Sequence, residues 1–344
     1  GGFEWLSPEE AKRMVEKHRQ NDEDGAILEV DLEYPSELHD LHKDYPLAPE
    51  HIEITRDMLS PYCKSVQEEI HHQHKTPRRS RKLCQTLTDK TRYVVHIRNL
   101  QYYIKQGMKL TKIHRAIGFK QRPWARSFIE LNSKLRAATD SDFEKSMFKL
   151  INNSIFGKSC ENKRNRTMIE LVTKEDRALK VVQQPRFDDF QVISDDLVAL
   201  RKHPVTVRLD KPIYVGMSVL DLSKWWMYTL WYSLKGQVNL VLTDTDSFVI
   251  EVVGRSDPYK TLLRSHLKFD FSNYPSGSKH YTSTVRDENK KVPGKLKDEL
   301  GGVLMTEVCG LRAKQWAYVT AEKDEHKTCK GINKSTIAKE LTLD

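Results

Sequence analysis

The tightest constraint on the fold lies at residues 218–253, where a strongly apolar helical pattern passes directly into a period-two pattern. Residues 218–234 (SVLDLSKWWMYTLWYSL) are apolar on nearly every side, so this helix has to be a core element. Its Trp225, Trp226 and Trp231 are expected to pack there, not to form a stacking platform. Gly236 ends the helix. Residues 238–253 then read as a β-hairpin with two acids, Asp244 and Asp246, at its tip. Burying such a helix beside such a hairpin calls for a core mixed in α and β, and 344 residues suffice for two or three packed units.

The flanking segments fit that class. Ser7, Pro8, Glu9 and Glu10 form a helix start, predicting a helix over residues 7–18. Residues 26–34 alternate apolar and acidic side chains until Pro35, the pattern of a strand with one wet face. His39 and His42 stand at helical spacing without a further ligand and read as a plain surface pair. The basic, His-rich residues 71–82 read as a loop, either simply solvated or touching phosphate. Residues 91–117 suggest one helix ending near Gly107 and then a short extended piece. Residues 124–138 and 142–158 are two strong helical patterns separated by little more than Thr139 and Asp140, hence an antiparallel helical hairpin, with Ser141 and Glu144 as a capping box. Residues 166–215 suggest short strands around a polar helix.

Composition narrows the function. A formal charge of +9 points to polyanionic partners, and 13 Tyr, 11 Phe and 6 Trp exclude disorder throughout. The 5 cysteines are scattered, without a C-x-x-C clamp, so neither a disulfide framework nor a zinc site is expected. With no apolar run of membrane-spanning length and no signal-peptide pattern, the expected location is intracellular and reducing, with no membrane partner.

Two constellations carry chemistry. Asp244 and Asp246, at i and i+2 in an extended chain, would lie on one side, where their repulsion calls for a cation; Mg²⁺, which takes one or two carboxylates, suits them. On that pattern alone an exposed Asp-rich turn is the preferred reading, because the pattern is short and frequent. The second helix of the helical hairpin places Lys149, Asn153, Phe156 and Gly157 on one face, extended a turn earlier by Lys145. Ammonium groups, an amide, a ring and a position without a side chain suit a nucleotide's triphosphate, sugar and base in turn. Asn153 and Gly157 both lower helix propensity, which a purely structural helix has little reason to accept.

Lys149-x-x-x-Asn153-Ser154-x-Phe156-Gly157 resembles motif B of family B DNA polymerases, and Thr243-Asp244-Thr245-Asp246-Ser247 resembles their motif C, in that order and at a similar separation. Asp31 to Pro35 with Leu38 to His42, Thr111 to Arg115, Gly294 to Glu299 and Gly310 to Lys314 are similar to segments of the protein-primed polymerases of Polinton (Maverick) elements and adintovirus-like viruses. The resemblance implies an α+β right-hand polymerase core with an antiparallel palm sheet, helical-hairpin fingers and the start of a thumb. Residues 1–115 would be a palm segment with an insertion equivalent in position to a terminal-protein-binding region, 116–165 the fingers, 166–300 palm, and 301–344 the start of the thumb. It also implies Asp244 and Asp246 as catalytic metal ligands in a two-metal Mg²⁺ site, and Lys149 and Lys145 as contacts of the incoming triphosphate. Asn153, Phe156 and Gly157 would line the nucleotide pocket. Lys314 and Trp316, resembling a Lys-x-Tyr element, would touch the primer end. The implied partners are template-primer DNA, a dNTP and a terminal protein, at a nuclear or viral replication site.

The family's further metal ligand lies in motif A, an Asp-x-x-x-Leu-Tyr-type segment that these residues lack, and residues 1–5 resemble the stretch just after that motif. Asp31 is not expected to replace it, because its neighbours match a later element. The expectation is therefore a polymerase fragment, also without the family's exonuclease domain, that extends primers weakly or not at all. The rival expectations are a catalytically dead DNA-binding remnant and a basic nucleic-acid-binding protein without polymerase activity.

Overall fold

The structure, a computed structural model, describes residues 2–19, 22–71, 81–253, 259, 268–278, 289–312 and 314–341. Its first sheet gathers strands from across the first 120 residues in the order β1 (Phe3–Leu6), β6 (Lys109–Lys120), β2 (Asp24–Glu33), β5 (Lys90–His96), all antiparallel. Between β1 and β2 runs helix α1 (Pro8–Lys17), opened by the predicted Ser7 cap, with Glu10 bonded back to Ser7 N at 2.8 Å. Between β2 and β5 the chain forms α2 (His39–His42), β3 (Glu50–Glu53), α3 (Pro61–His71) and β4 (Arg81–Cys84), with β3 and β4 paired antiparallel. Residues 72–80 of the basic loop lie outside the described residues, while Arg81 and Lys82 belong to β4.

Three expectations for this region need correction. Residues 91–117 do not start as a helix: β5 comes first, then α4 (Ile97–Lys105), a turn at Gly107 with φ +103°, and the 12-residue β6 where a short piece was expected. The β-branched Val94 and Val95 favour the strand, and pairing with β2 decides it. Strand β2 does alternate, since Ala26, Leu28, Val30 and Leu32 are fully buried, but the acidic face is not simply wet. Glu29 pairs with Arg92 and Arg115, Asp31 with His114 and Glu33 with Lys109, each supplied by the strands on either side. His39 and His42 are not a surface pair. His42 is wholly buried, shares a 2.9 Å hydrogen bond with the Tyr34 hydroxyl and lies edge-on to Tyr232, and desolvation pushes its pKa down to about 4.

The remaining elements are the helices α5 (Arg126–Ala138) and α6 (Asp142–Ser159), strand β7 (Met168–Val172), α7 (Glu175–Val182), β8 (Phe187–Ser194), β9 (Leu197–Lys202) and the core helix α8 (Ile213–Leu234). After it come the hairpin β10 (Asn239–Asp244) and β11 (Ser247–Glu251), the parallel pair β12 (Phe269–Asp270) and β13 (Leu296–Lys297), then β14 (Met305–Arg312), β15 (Gln315–Thr320), β16 (Glu325–Cys329) and α9 (Lys334–Glu340). The fold is thus mixed α+β with largely antiparallel sheets.

The chain divides into two units, Gly1–Arg126 with Asp221–Asp344, and Ser127–Leu220. In the first, α8 buries Met227, Tyr228, Leu230, Trp231 and Leu234 in one core with β2, α4 and the turn around Tyr45 to Ala48. The second unit holds the predicted helical hairpin, α5 and α6. Ser141 accepts from Glu144 N at 3.4 Å, but the reciprocal half of the expected capping box is missing, because the Glu144 carboxylate takes the Thr139 hydroxyl instead. Its strands order β7-β9-β8, and Val172, Val181 and Leu200 form a small core against α7.

Candidate functional site

Strands β10 and β11 close on a two-residue turn, with Asp244 opposite Ser247 and Thr245-Asp246 between them. The expected hairpin carries both acids at its tip, but they do not stand two apart on an extended strand. Asp244 ends the strand, Thr245 is left-handed at φ +60° and Asp246 lies in the turn. A two-residue hairpin loop asks for positive φ, normally supplied by Gly or Asn, and a β-branched residue there is strained by roughly 1–3 kcal/mol. Local bonds hold it. Asp246 N donates to Asp244 O at 2.7 Å, the Thr243 hydroxyl to Ser247 O at 2.9 Å and the Ser247 hydroxyl to Asp244 O at 3.1 Å. Next to the turn the hairpin is fixed by Phe248, whose ring lies 5.7 Å from Tyr45 and 6.0 Å from Trp231 in the core.

A second strained turn reaches this tip. Lys314, between β14 and β15, is left-handed at φ +64°, and its ammonium bonds both the Asp244 carboxylate and, at 3.2 Å, the Thr245 hydroxyl. Lys330 N donates to Lys314 O at 3.0 Å, bringing the end of β16 to the same place. Strand β14 lies beside β10 at Gly310, where an added Cβ would meet Leu242 in ordinary contact at 3.5 Å. The Lys314 hydrogen bond, helped by the Thr245 hydroxyl and the Lys330 charge, outweighs partial burial and holds the Asp244 carboxyl below its ordinary range. Asp246 is exposed, and its carboxylate meets no described residue. Trp316 stacks on Tyr318 at 5.7 Å, and Tyr318 on His326 at 5.2 Å, so aromatic rings lead away from Lys314 along one sheet face. Thr245 and Lys330 join the site without having been singled out. Gly331, at φ +95°, was the available sign of a turn at Lys330.

The other predicted residues lie on α6 in the second unit. The helix is unbroken, so Lys149, Asn153, Phe156 and Gly157 do share a face. Lys149, Asn153 and Gly157 are exposed and Phe156 is half-buried; a Cβ at Gly157 would meet nothing within 4 Å. Lys145 is already engaged, donating to Asp140 O at 2.9 Å and to the Asp142 carboxylate at 3.2 Å. Asn152, next to the stripe, turns toward α5, where its amide reaches Ser133 at 3.5 Å.

As a metal site, the hairpin tip offers two hard carboxylates, one of them already drawing in an ammonium. That donor set fits one Mg²⁺, which needs no more than one or two protein carboxylates. Among the described residues no cluster of three or more His, Cys, Asp or Glu could hold a metal, so the two acids have no third side-chain ligand of those types there. Asp31 is committed elsewhere, accepting from Arg92 N at 2.7 Å and lying 2.8 Å from the His114 ring nitrogen.

The architecture is that of a mixed α+β protein resembling part of a family B polymerase structure. One solved structure it is similar to is phi29 DNA polymerase, a protein-primed family B enzyme, complexed with primer-template DNA and incoming nucleotide substrates. The likeness has a TM-score of 0.55 at 15% identity and covers 95% of this chain and 47% of that one. The chain thus spans about half the length of that polymerase. No family model and no curated protein matches the sequence, and the likeness carries nothing on a Polinton or adintovirus affiliation.

Proposed function

We propose that this chain is part of a DNA-directed DNA polymerase that transfers a nucleotide from a dNTP to a primer 3′-hydroxyl. The observation that carries the reading is the meeting of Thr245 and Lys314, two left-handed residues from turns 69 positions apart, over the Asp244 carboxylate. Strain kept at two facing turns belongs to a site whose geometry matters more than its stability.

In this reading Asp244 and Asp246 hold Mg²⁺, which when bound neutralises triphosphate charge. Lys149 receives the triphosphate oxygens, with Lys145 as a second contact once it leaves Asp142. Phe156 lies against sugar or base, Asn153 donates to the sugar, and Gly157 leaves room for the nascent base pair. Lys314 serves first as the counter-charge of Asp244 and then as a donor to the primer phosphate, with Trp316 packed beside the primer end. A ring without a hydroxyl at Phe156 keeps stacking and changes discrimination among nucleotides. Protein priming, with a terminal protein held by the region between residues 36 and 115, a Polinton-like origin and a nuclear or viral replication site belong to the same proposal.

The test is dNTP retention by the chain on a labelled primer-template with Mg²⁺. The reading expects the complementary dNTP to be held over the other three, and Lys149→Ala to weaken it about tenfold, the size of a lost charge-assisted hydrogen bond. Equal retention of all four dNTPs, unaffected by Lys149→Ala, would overturn it.

A further inference from the structure

Away from the hairpin tip, helices α4 and α8 enclose an open cleft of about 230 Å³ lined by Arg98, Gln101, Tyr102, Lys105, Trp225 and Thr229. Most of its polar groups are spent inside the protein. Gln101 donates to Val15 O and His18 O at 2.7 and 2.9 Å, Tyr102 to Tyr228 O at 3.1 Å, and Thr229 to Trp225 O at 2.8 Å. The two cations are not. Arg98 Nε is buried without a hydrogen-bond partner, and neither Arg98 nor Lys105 forms an ion pair with a described residue.

The lining contains no carboxylate, so the cleft carries two positive charges without a counter-charge of its own. The Arg98 guanidinium lies 6.0 Å from the centre of the Trp225 ring. A cation–π contact supplies no hydrogen-bond acceptor for the guanidinium N–H donors, and Nε, the buried one among them, has none. Arg98 therefore lacks an acceptor. Arg98 and Lys105, seven residues apart on α4, share a face and stand roughly 10 Å apart along the axis. The volume lies below the roughly 300–1,000 Å³ of sites that engulf a whole small molecule, so a ligand lies partly outside the open cleft.

We propose that this cleft is a second nucleotide-binding site, which takes a phosphate on Arg98 and Lys105 and a base against Trp225. A guanidinium meets phosphate through two parallel N–H donors, and every base offers a face to an indole. The ligand is a nucleotide unit, free or within a single strand, and recognition is indifferent to sequence because no group in the cleft is left to read a base edge. The site is independent of the hairpin tip.

Binding of thymidine 5′-monophosphate and of a short thymidylate single strand, followed by tryptophan fluorescence and by anisotropy of a labelled strand, tests it. Arg98→Gln with Lys105→Gln is expected to weaken both ligands about tenfold or more. For the strand, it should also lower the slope of log affinity against log salt by about 0.7 per cation removed. Trp225→Leu should weaken the nucleotide and leave inorganic phosphate unchanged. A strand bound more tightly than the mononucleotide identifies nucleic acid as the ligand's source, and equal affinity identifies free nucleotide; either result upholds the site. Lys105→Gln alone, at an exposed position, supplies a variant whose folding is not in question and should weaken both ligands as well. Asp244→Asn should leave binding at the cleft intact, so the cleft and the polymerase reading can fail separately. Unchanged affinity and salt slope in the double variant, or inorganic phosphate bound as tightly as the nucleotide, would overturn the proposal.

Discussion

Thr245 and Lys314 each sit in a backbone conformation that side-chain-bearing residues rarely adopt, and each is held there by the other and by Asp244. The carboxyl's low pKa depends on that partnership, with Lys314 the largest cause. Lys314→Met should accordingly raise the Asp244 pKa toward the ordinary carboxylate value, read by carboxyl-carbon NMR titration; an unchanged titration would show that the pair does not persist in solution. Buried histidines set a second residue-scale expectation. Burial lowers both His42 and His96 to about 4. The unfolded chain therefore binds more protons than the folded one between about pH 6.5 and 4, and stability is lost as pH falls through that window. For His42 the loss is on the order of 3 kcal/mol, and His42→Asn should remove its share of the acid-side fall in melting temperature. A fall of the same size in His42→Asn and in the original chain would contradict the burial argument. Motif residues were legible in the sequence. The burial of His42 was not, because it depends on Tyr34 and Tyr232, the latter nearly two hundred positions away in sequence.

At the scale of elements, α6 carries the sharpest trade. Gly157 sits in the last turn of α6 with open space around its missing side chain, so Gly157→Ala should stabilise the protein by at most about 0.5–1 kcal/mol, measured by denaturant unfolding. If that position is kept bare for a base pair, the same variant weakens retention of the complementary dNTP. Greater stability with undiminished retention would mark Gly157 as a bystander. Helix α8 behaves in the opposite way. Trp231 is almost wholly buried, and Trp231→Ala should cost about 3–5 kcal/mol through lost transfer energy and a residual cavity. Both helices were legible because their patterns are long and strongly periodic. The strand at residues 90–96 was not, since its register is set by β2 sixty positions earlier and not by its own residues. The hairpin with both acids at its tip was legible, but the i, i+2 rule used for their shared side holds only inside a strand, and the sequence does not show where β10 stops.

For the molecule as a whole, the sequence led to the class of fold, a mixed α+β architecture with antiparallel sheets that resembles part of a polymerase structure at 15% identity. It did not lead to the division into units, in which β7, β8 and β9 group with the α5–α6 hairpin, because such grouping arises from packing between segments and not from local pattern. The central proposal is that the acids of the β10–β11 turn and the lysine of α6 serve a single dNTP. Electron-nuclear double resonance with Mn²⁺ in place of Mg²⁺, on the chain with primer-template and the complementary dNTP, tests it most directly. The account predicts a ³¹P coupling between the metal and the triphosphate that is lost in Asp246→Asn and reduced in Lys149→Ala. A coupling indifferent to both substitutions would contradict it.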